Sequence, residues 1–148
     1  MKTEYLSHST NETERIGEET GKTLRKGSIV ALFGNLGVGK TVFARGLLKG
    51  LGYIGIVSSP TYTIANEYIL KDSKVVHFDM YRIDDEESLE TAGFYDCLED
   101  DSIVIIEWSE RIENILPKDI KRVYITGNGE DERSITIIQG ETDEYICS

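Results

Sequence analysis

Cysteine is scarce in this chain, and the two present, Cys97 and Cys147, lack the paired spacing of a zinc site or a redox motif. Isolated thiols suit a reducing compartment and have structural or incidental roles. Positive charge is also short: 16 Lys and Arg stand against 27 Asp and Glu, for a net charge of −11. Such a surface repels phosphate backbones, and no segment supplies the basic patch that a direct grip on nucleic acid requires. A protein partner with a basic face is the better fit. Long apolar runs are missing too, so no segment is expected to span a bilayer, and the N-terminal "MKTEYLSHST" lacks the apolar core of a signal peptide. A cytoplasmic protein with no membrane partner is expected. Repeats, linkers and low-complexity tracts are absent.

What remains is ordinary globular material. The 148 residues, 39% hydrophobic and 29% charged, suffice for a core without disulfides or metals, and they read as one domain spanning 1–148. Ser9 precedes Glu12 at capping-box spacing and opens a helical stretch expected to run to Gly27, although its apolar face is thin, with only Ile16 and Leu24. "SIVALF" (28–33) is a β-branched apolar run of the kind buried on both faces. "TVFARGLLKGLG" sets Val42, Phe43, Leu47 and Leu48 on one helical face and stops at Gly50 and Gly52. "VSSPTYTIANEYIL" reads as a turn entering a strand, with Tyr62, Ile64 and Tyr68 in the alternating part. "KVVHFDMYRI" is a strand ending near Asp79, "DDEESLETAG" a brief helix closed by Gly93, "SIVIIEW" a strand closed by Glu107 and Trp108, and "SERIENILP" a helix stopped before Pro117. "KRVYITG" and "RSITIIQG" form two strands about a turn-rich loop. Buried strands alternating with helices predict an α/β fold, which the glycine-loop pattern of residues 34–41 makes one of the P-loop NTPase type. Its mostly parallel sheet is covered on both faces and carries an antiparallel edge at the C-terminus.

The most informative stretch is "FGNLGVGKTV" (33–42). Gly34, Gly39, Lys40 and Thr41 satisfy the G-x-x-x-x-G-K-[ST] pattern between a strand and a helix start, where the pattern has physical meaning. Glycines let successive amides turn inward around an anion, and the helix behind them adds its positive dipole end. The phosphate-binding segment is therefore Gly34, Asn35, Leu36, Gly37, Val38, Gly39, Lys40, Thr41 and Val42. Lys40 reaches the outer phosphates and Thr41 offers its hydroxyl to Mg2+. The loop reads phosphates and ignores the base, but the Asn-Lys-x-Asp signature of guanine-specific proteins is lacking, which favours ATP. Mg2+ also needs a carboxylate from a neighbouring strand end, and two qualify, Asp79 and Glu107. One would hold the ion directly or through water while the other orients the attacking water. A strand-end acid capping the next helix is the structural alternative for either. Arg82 either neutralises phosphate charge or pairs with the acids that follow it, the structural pairing being slightly favoured; His77 reads as a packed or surface residue, and Trp108 most simply as a packing residue, with an interface role as the alternative.

"GNLGVGKT", "SSPTYTI", "HFDMYRI" and "IIEWSER", in this order and spacing, resemble the bacterial TsaE family, formerly YjeE, over nearly the whole chain. The resemblance implies an ATPase needed to make threonylcarbamoyladenosine beside the tRNA anticodon. In that scheme it supports turnover of the TsaB–TsaD complex without itself transferring the group, TsaC makes the adenylate donor, and tRNA is engaged only indirectly. It further implies that Thr41 and Glu107 face Mg2+, that Asp79 takes part in hydrolysis, and that "SSPTYT" behaves as a switch near the γ-phosphate; within that loop Thr61 is the candidate to sense the γ-phosphate or the ion, an ordinary turn being the alternative. Thr10 and Arg133 approach the nucleotide by the same analogy. Two other classes stay open: a small-molecule kinase on the same ATP site, and a nucleotide-switched binding module. The seven arginines form no clustered lid segment, which counts against the kinase.

Overall fold

The computed structural model describes residues 1–34, 39–57, 65–80, 90, 93–109, 112–127 and 129–140. Seven strands form one sheet: β1 (Lys2–Ser7), β2 (Ile29–Phe33), β3 (Ala65–Ile69), β4 (Lys74–Asp79), β5 (Ile103–Glu107), β6 (Ile120–Gly127) and β7 (Arg133–Gly140). Their spatial order is β1-β7-β6-β2-β5-β4-β3. The four central strands, β6, β2, β5 and β4, are parallel, while β3 on one edge and β7 and β1 on the other are antiparallel. The mixed α/β architecture with a parallel centre and an antiparallel C-terminal edge is what the alternation of apolar runs and helical segments predicts, whereas the antiparallel β3 on the other edge is not part of that expectation. Among the described residues no helix is long and apolar enough to cross a membrane.

Period-two alternation sorts the central strands onto two cores. Val30, Leu32, Val75, Ile103 and Ile105 face helices α1 (Thr10–Gly21) and α2 (Lys40–Gly50), meeting Phe43, Leu47 and Leu48. Ala31, Phe33, Val76, Phe78, Val104 and Ile106 face the other way, toward Phe94 of the short helix α3 (Phe94–Glu99) and toward Ile112 and Leu116. The sheet is therefore buried on both sides at its centre, which is why its strands read as continuous apolar runs.

The capping box at Ser9 forms: its hydroxyl oxygen accepts the Glu12 amide at 3.1 Å. The helix behind it stops at Gly21, capped at Lys22, so the expected end at Gly27 is six residues too far. Gly27 instead lies in the turn before β2, with φ of 85° and its amide bonded to the Asp101 carbonyl. The thin apolar face of α1 has a definite cause. Gly17 and Gly21 of α1 interlock with Gly46 and Gly50 of α2, and a Cβ built on any of the four would come within 2.1–2.5 Å of a facing carbonyl oxygen. Backbone meets backbone, so small residues supply the contact that large apolar ones supply elsewhere.

One strand lies outside the expectations, one expected helix needs correction, and one falls outside the described residues. β1 was not foreseen, because its residues are almost all exposed and its stability comes from backbone pairing with β7 rather than from a core face. "SERIENILP" holds only a single 3-10 turn, Glu113–Ile115, with residues 110 and 111 outside the described set. Helix α3 follows Gly93, whereas "DDEESLETAG" falls almost entirely outside the described residues, as do Tyr62, Ile64, Arg82 and Cys147.

Candidate functional site

The parallel strands β2, β4 and β5 all point their carboxyl ends toward the start of α2, so one end of the sheet gathers what each strand carries there. Gly39 is the N-cap of α2, with φ of 103° and ψ of 21°, a left-handed conformation that strains any residue with a Cβ. It turns the chain sharply into the helix, whose first residues are Lys40 and Thr41. First-turn amides of an α-helix have no acceptor within the helix and carry the positive end of its dipole, the local field that suits an anion. Gly34 lies at the other end of this loop, just after β2. Asn35, Leu36, Gly37 and Val38 lie outside the described residues, as does Thr61.

Lys40 is buried. Its ammonium donates to the Gly34 carbonyl at 2.7 Å and sits 3.4 Å from the centroid of the Trp108 ring. A desolvated cation over indole is stabilised by about 2 kcal/mol. Trp108 reaches this position through an unusual backbone, φ of 59°, a conformation that costs a bulky residue about 1–3 kcal/mol. The turn holding it is tied on both sides: the Glu107 carbonyl accepts the Met80 amide at 3.0 Å, and the Ser109 hydroxyl donates to the Ile106 carbonyl at 3.0 Å. The sequence reading of Trp108 as plain packing misses this contact.

Asp79 and Glu107 are register partners at the ends of β4 and β5, on the face that carries α1 and α2. Glu107 is buried, and each of its oxygens has a defined neighbour. Oε1 accepts from the Thr41 hydroxyl at 3.3 Å, and Oε2 lies 2.5 Å from Nε2 of His77, a fully buried side chain. His77 shares the parity of Val75 and Asp79 on β4, and its register partner is Ile105, so it lies diagonally beneath Glu107. That parity is the signal in the sequence that would have found it: His77 and Asp79, two apart on one strand, must face the same way. Thr41 and Glu107 are hard oxygen donors of the type Mg2+ takes, and that ion ordinarily keeps water and substrate oxygens for its other positions. Among the described residues no three His, Cys, Asp or Glu side chains gather into a metal-holding group.

Thr10 and Arg133 come together on the flank of this site. With Ser9, Thr13, Gly39, Val42, Glu130 and Asp131 they line a cavity of about 120 Å3. The Ser7 and Thr13 hydroxyls, 2.7 Å apart, tie the end of β1 to the first turn of α1 at its base. Arg133 donates to the carbonyls of Gly129 and Glu132 at 3.0 and 2.8 Å. Thr10 is exposed, at the first turn of α1.

Fold and site together define a mixed α/β protein whose lysine–threonine helix start meets paired strand-end carboxylates beside an exposed flank cavity. Residues 7–135 match the family described as threonylcarbamoyl adenosine biosynthesis protein TsaE, and the chain belongs to that family. The tRNA threonylcarbamoyladenosine biosynthesis protein TsaE of Bacillus subtilis is 36% identical over 137 residues, covering 92% of this chain and 85% of that one. Its Haemophilus influenzae counterpart is 48% identical over 93 residues, which is 63% of this chain and only 59% of the relative's length. The crystal structure of YdiB from Bacillus subtilis superposes with a TM-score of 0.78 at 29% identity, covering 99% of this chain and 92% of that one.

Proposed function

We propose that this chain is a slow P-loop ATPase whose nucleotide cycle supports the TsaB–TsaD complex in threonylcarbamoyladenosine modification of tRNA. The observation that carries this reading is the 3.3 Å contact between Thr41 and Glu107, made 66 residues apart in sequence and beside Lys40. It joins the helix start of the glycine loop to a strand-end carboxylate, the pairing on which nucleotide hydrolases of this kind depend. Thr41 and Glu107 would hold Mg2+, which neutralises phosphate charge when bound. Lys40 turns from the Gly34 carbonyl and the Trp108 face toward the phosphates. Asp79, side by side with Glu107, orients water for attack. Thr10, Val42 and Arg133 border the rest of the nucleotide. The acidic surface, net −11, argues that tRNA is met through the partners rather than directly, and the protein works in the cytoplasm.

Steady-state phosphate release from ATP with Mg2+ tests the proposal, measured with the protein alone and with purified TsaB and TsaD. A partner-dependent increase that disappears in Lys40→Ala is expected. Equal turnover in Lys40→Ala, or phosphate transfer to a small hydroxyl compound with no effect of the partners, would refute it.

A further inference from the structure

We infer that His77 is the positioning residue of the Glu107 carboxylate, fixing its rotation so that Oε1 faces Thr41; this rests on the proposed nucleotide site. The geometry is specific. His77 is fully buried in mid-strand, and Nε2 to Oε2 of Glu107 is its one side-chain hydrogen bond among the described residues, with Nδ1 left without a partner. A carboxylate only accepts, so Nε2 carries the hydrogen of this bond.

A filler at this position would serve better without polar atoms, as Val75 on the same face of β4 and Ile105 beside it on β5 demonstrate. Burying an imidazole with one unmatched nitrogen costs stability, and what the arrangement obtains is direction. Two rotatable bonds separate the Glu107 backbone from its carboxyl carbon, and a third turns the carboxylate plane. With Oε2 held from beneath, that plane is set and Oε1 is presented to the helix start. Supporting bonds of this sort, one shell behind a metal-facing oxygen, commonly change metal affinity by about 10–100-fold when removed.

The wild-type chain without nucleotide tests the bond directly. Long-range 1H–15N correlation of the histidine rings, with His8→Gln used for assignment, is expected to show His77 as the Nε2–H tautomer with a strongly hydrogen-bonded proton. An Nδ1–H tautomer, or a ring proton in rapid exchange with water, would overturn the inference whatever the nucleotide chemistry proves to be. The second arm compares affinity for ADP with Mg2+ and with EDTA by calorimetry, in wild type, His77→Leu and His77→Gln. Leucine fills the space without a donor, whereas the glutamine amide can donate from near the Nε2 position. His77→Leu is expected to lose about tenfold of the Mg2+-dependent gain in affinity while its EDTA affinity stays put, and His77→Gln to recover most of that gain. Equal weakening with and without Mg2+, or no recovery by glutamine, would mean that His77 only fills space. A wild type with the expected tautomer and no nucleotide affinity would overturn the nucleotide reading and the ion-facing purpose of the bond, while leaving the bond itself established.

Discussion

Gly46→Ala is the sharpest test of how the site is built, because it perturbs only the seam that seats α2. A methyl group at Gly46 would lie 2.2 Å from the Glu14 carbonyl oxygen, 2.9 Å from the Glu18 amide nitrogen and 3.0 Å from the Gly17 Cα. Every one of these is backbone, so no side chain can swing aside. Restoring ordinary contact at 3.4 Å requires the carbonyl to retreat by about 1.2 Å. Overpacking of this kind costs about 3 kcal/mol, and the better helix propensity of alanine returns roughly 1 kcal/mol, leaving a net loss of about 2 kcal/mol. For a chain of this size each kcal/mol moves Tm by about 2–4 °C, so Gly46→Ala should lower Tm by roughly 4–8 °C in thermal unfolding followed by circular dichroism. Glu19→Ala, on the exposed side of α1, serves as the control and should change Tm by about 2 °C or less. An unchanged or raised Tm for Gly46→Ala would refute the close backbone seam. Because Lys40 and Thr41 begin the same helix, the variant should also weaken Mg2+-dependent nucleotide affinity.

Two further outcomes follow from the local geometry. The chain has a single tryptophan, Trp108, with the Lys40 ammonium 3.4 Å from its ring centroid, so nucleotide binding that draws Lys40 away should change its emission. Lys40→Ala should alter the emission of the free protein and abolish the change on adding nucleotide; an identical response in both would refute the contact. Ser9→Ala removes the oxygen that accepts the Glu12 amide and should cost about 1 kcal/mol, seen as a fall in Tm of about 2–4 °C, and no fall would mean that the cap carries no stability.

Much of this architecture was legible because burial leaves a strong trace in sequence. β2, β4 and β5 are apolar on both faces, and α2 repeats its large residues at helical spacing, so both were readable without coordinates. β1 and the end of α1 were not, for opposite reasons. β1 is held by backbone pairing that any sequence can make, and its side chains are mostly exposed. The buried face of α1 is glycine and threonine, invisible to a search for large apolar residues. In the site, Thr41 and the strand-end acids were named from pattern and position, and the structure sets Thr41 and Glu107 in contact. His77 reads from sequence only as a packed or surface residue, because a single strand histidine carries no pattern of its own. Its meaning depends on the register of β4 against β5, a property of two segments 30 residues apart.

That register also changes what a substitution at Glu107 can be expected to mean. If Glu107 were an isolated strand-end ligand, alanine would remove the metal-facing oxygen and leave folding intact. It is instead buried between the His77 ring and the Thr41 hydroxyl, so Glu107→Ala strands a buried N–H as well as opening space. An unmatched buried donor costs about 1–3 kcal/mol, and with the cavity the loss should reach about 3 kcal/mol, a fall in Tm of roughly 6–12 °C. Glutamine separates the two roles. Its carbonyl can accept from His77 Nε2–H while its amide donates to the Thr41 oxygen, so Tm should stay within about 4 °C of wild type. The negative charge is gone all the same, and Mg2+-dependent phosphate release should fall by about 100-fold or more if Glu107 helps to hold the ion. A glutamine variant that keeps both its Tm and its turnover would make Glu107 a structural residue only and leave Asp79 as the metal-facing carboxylate.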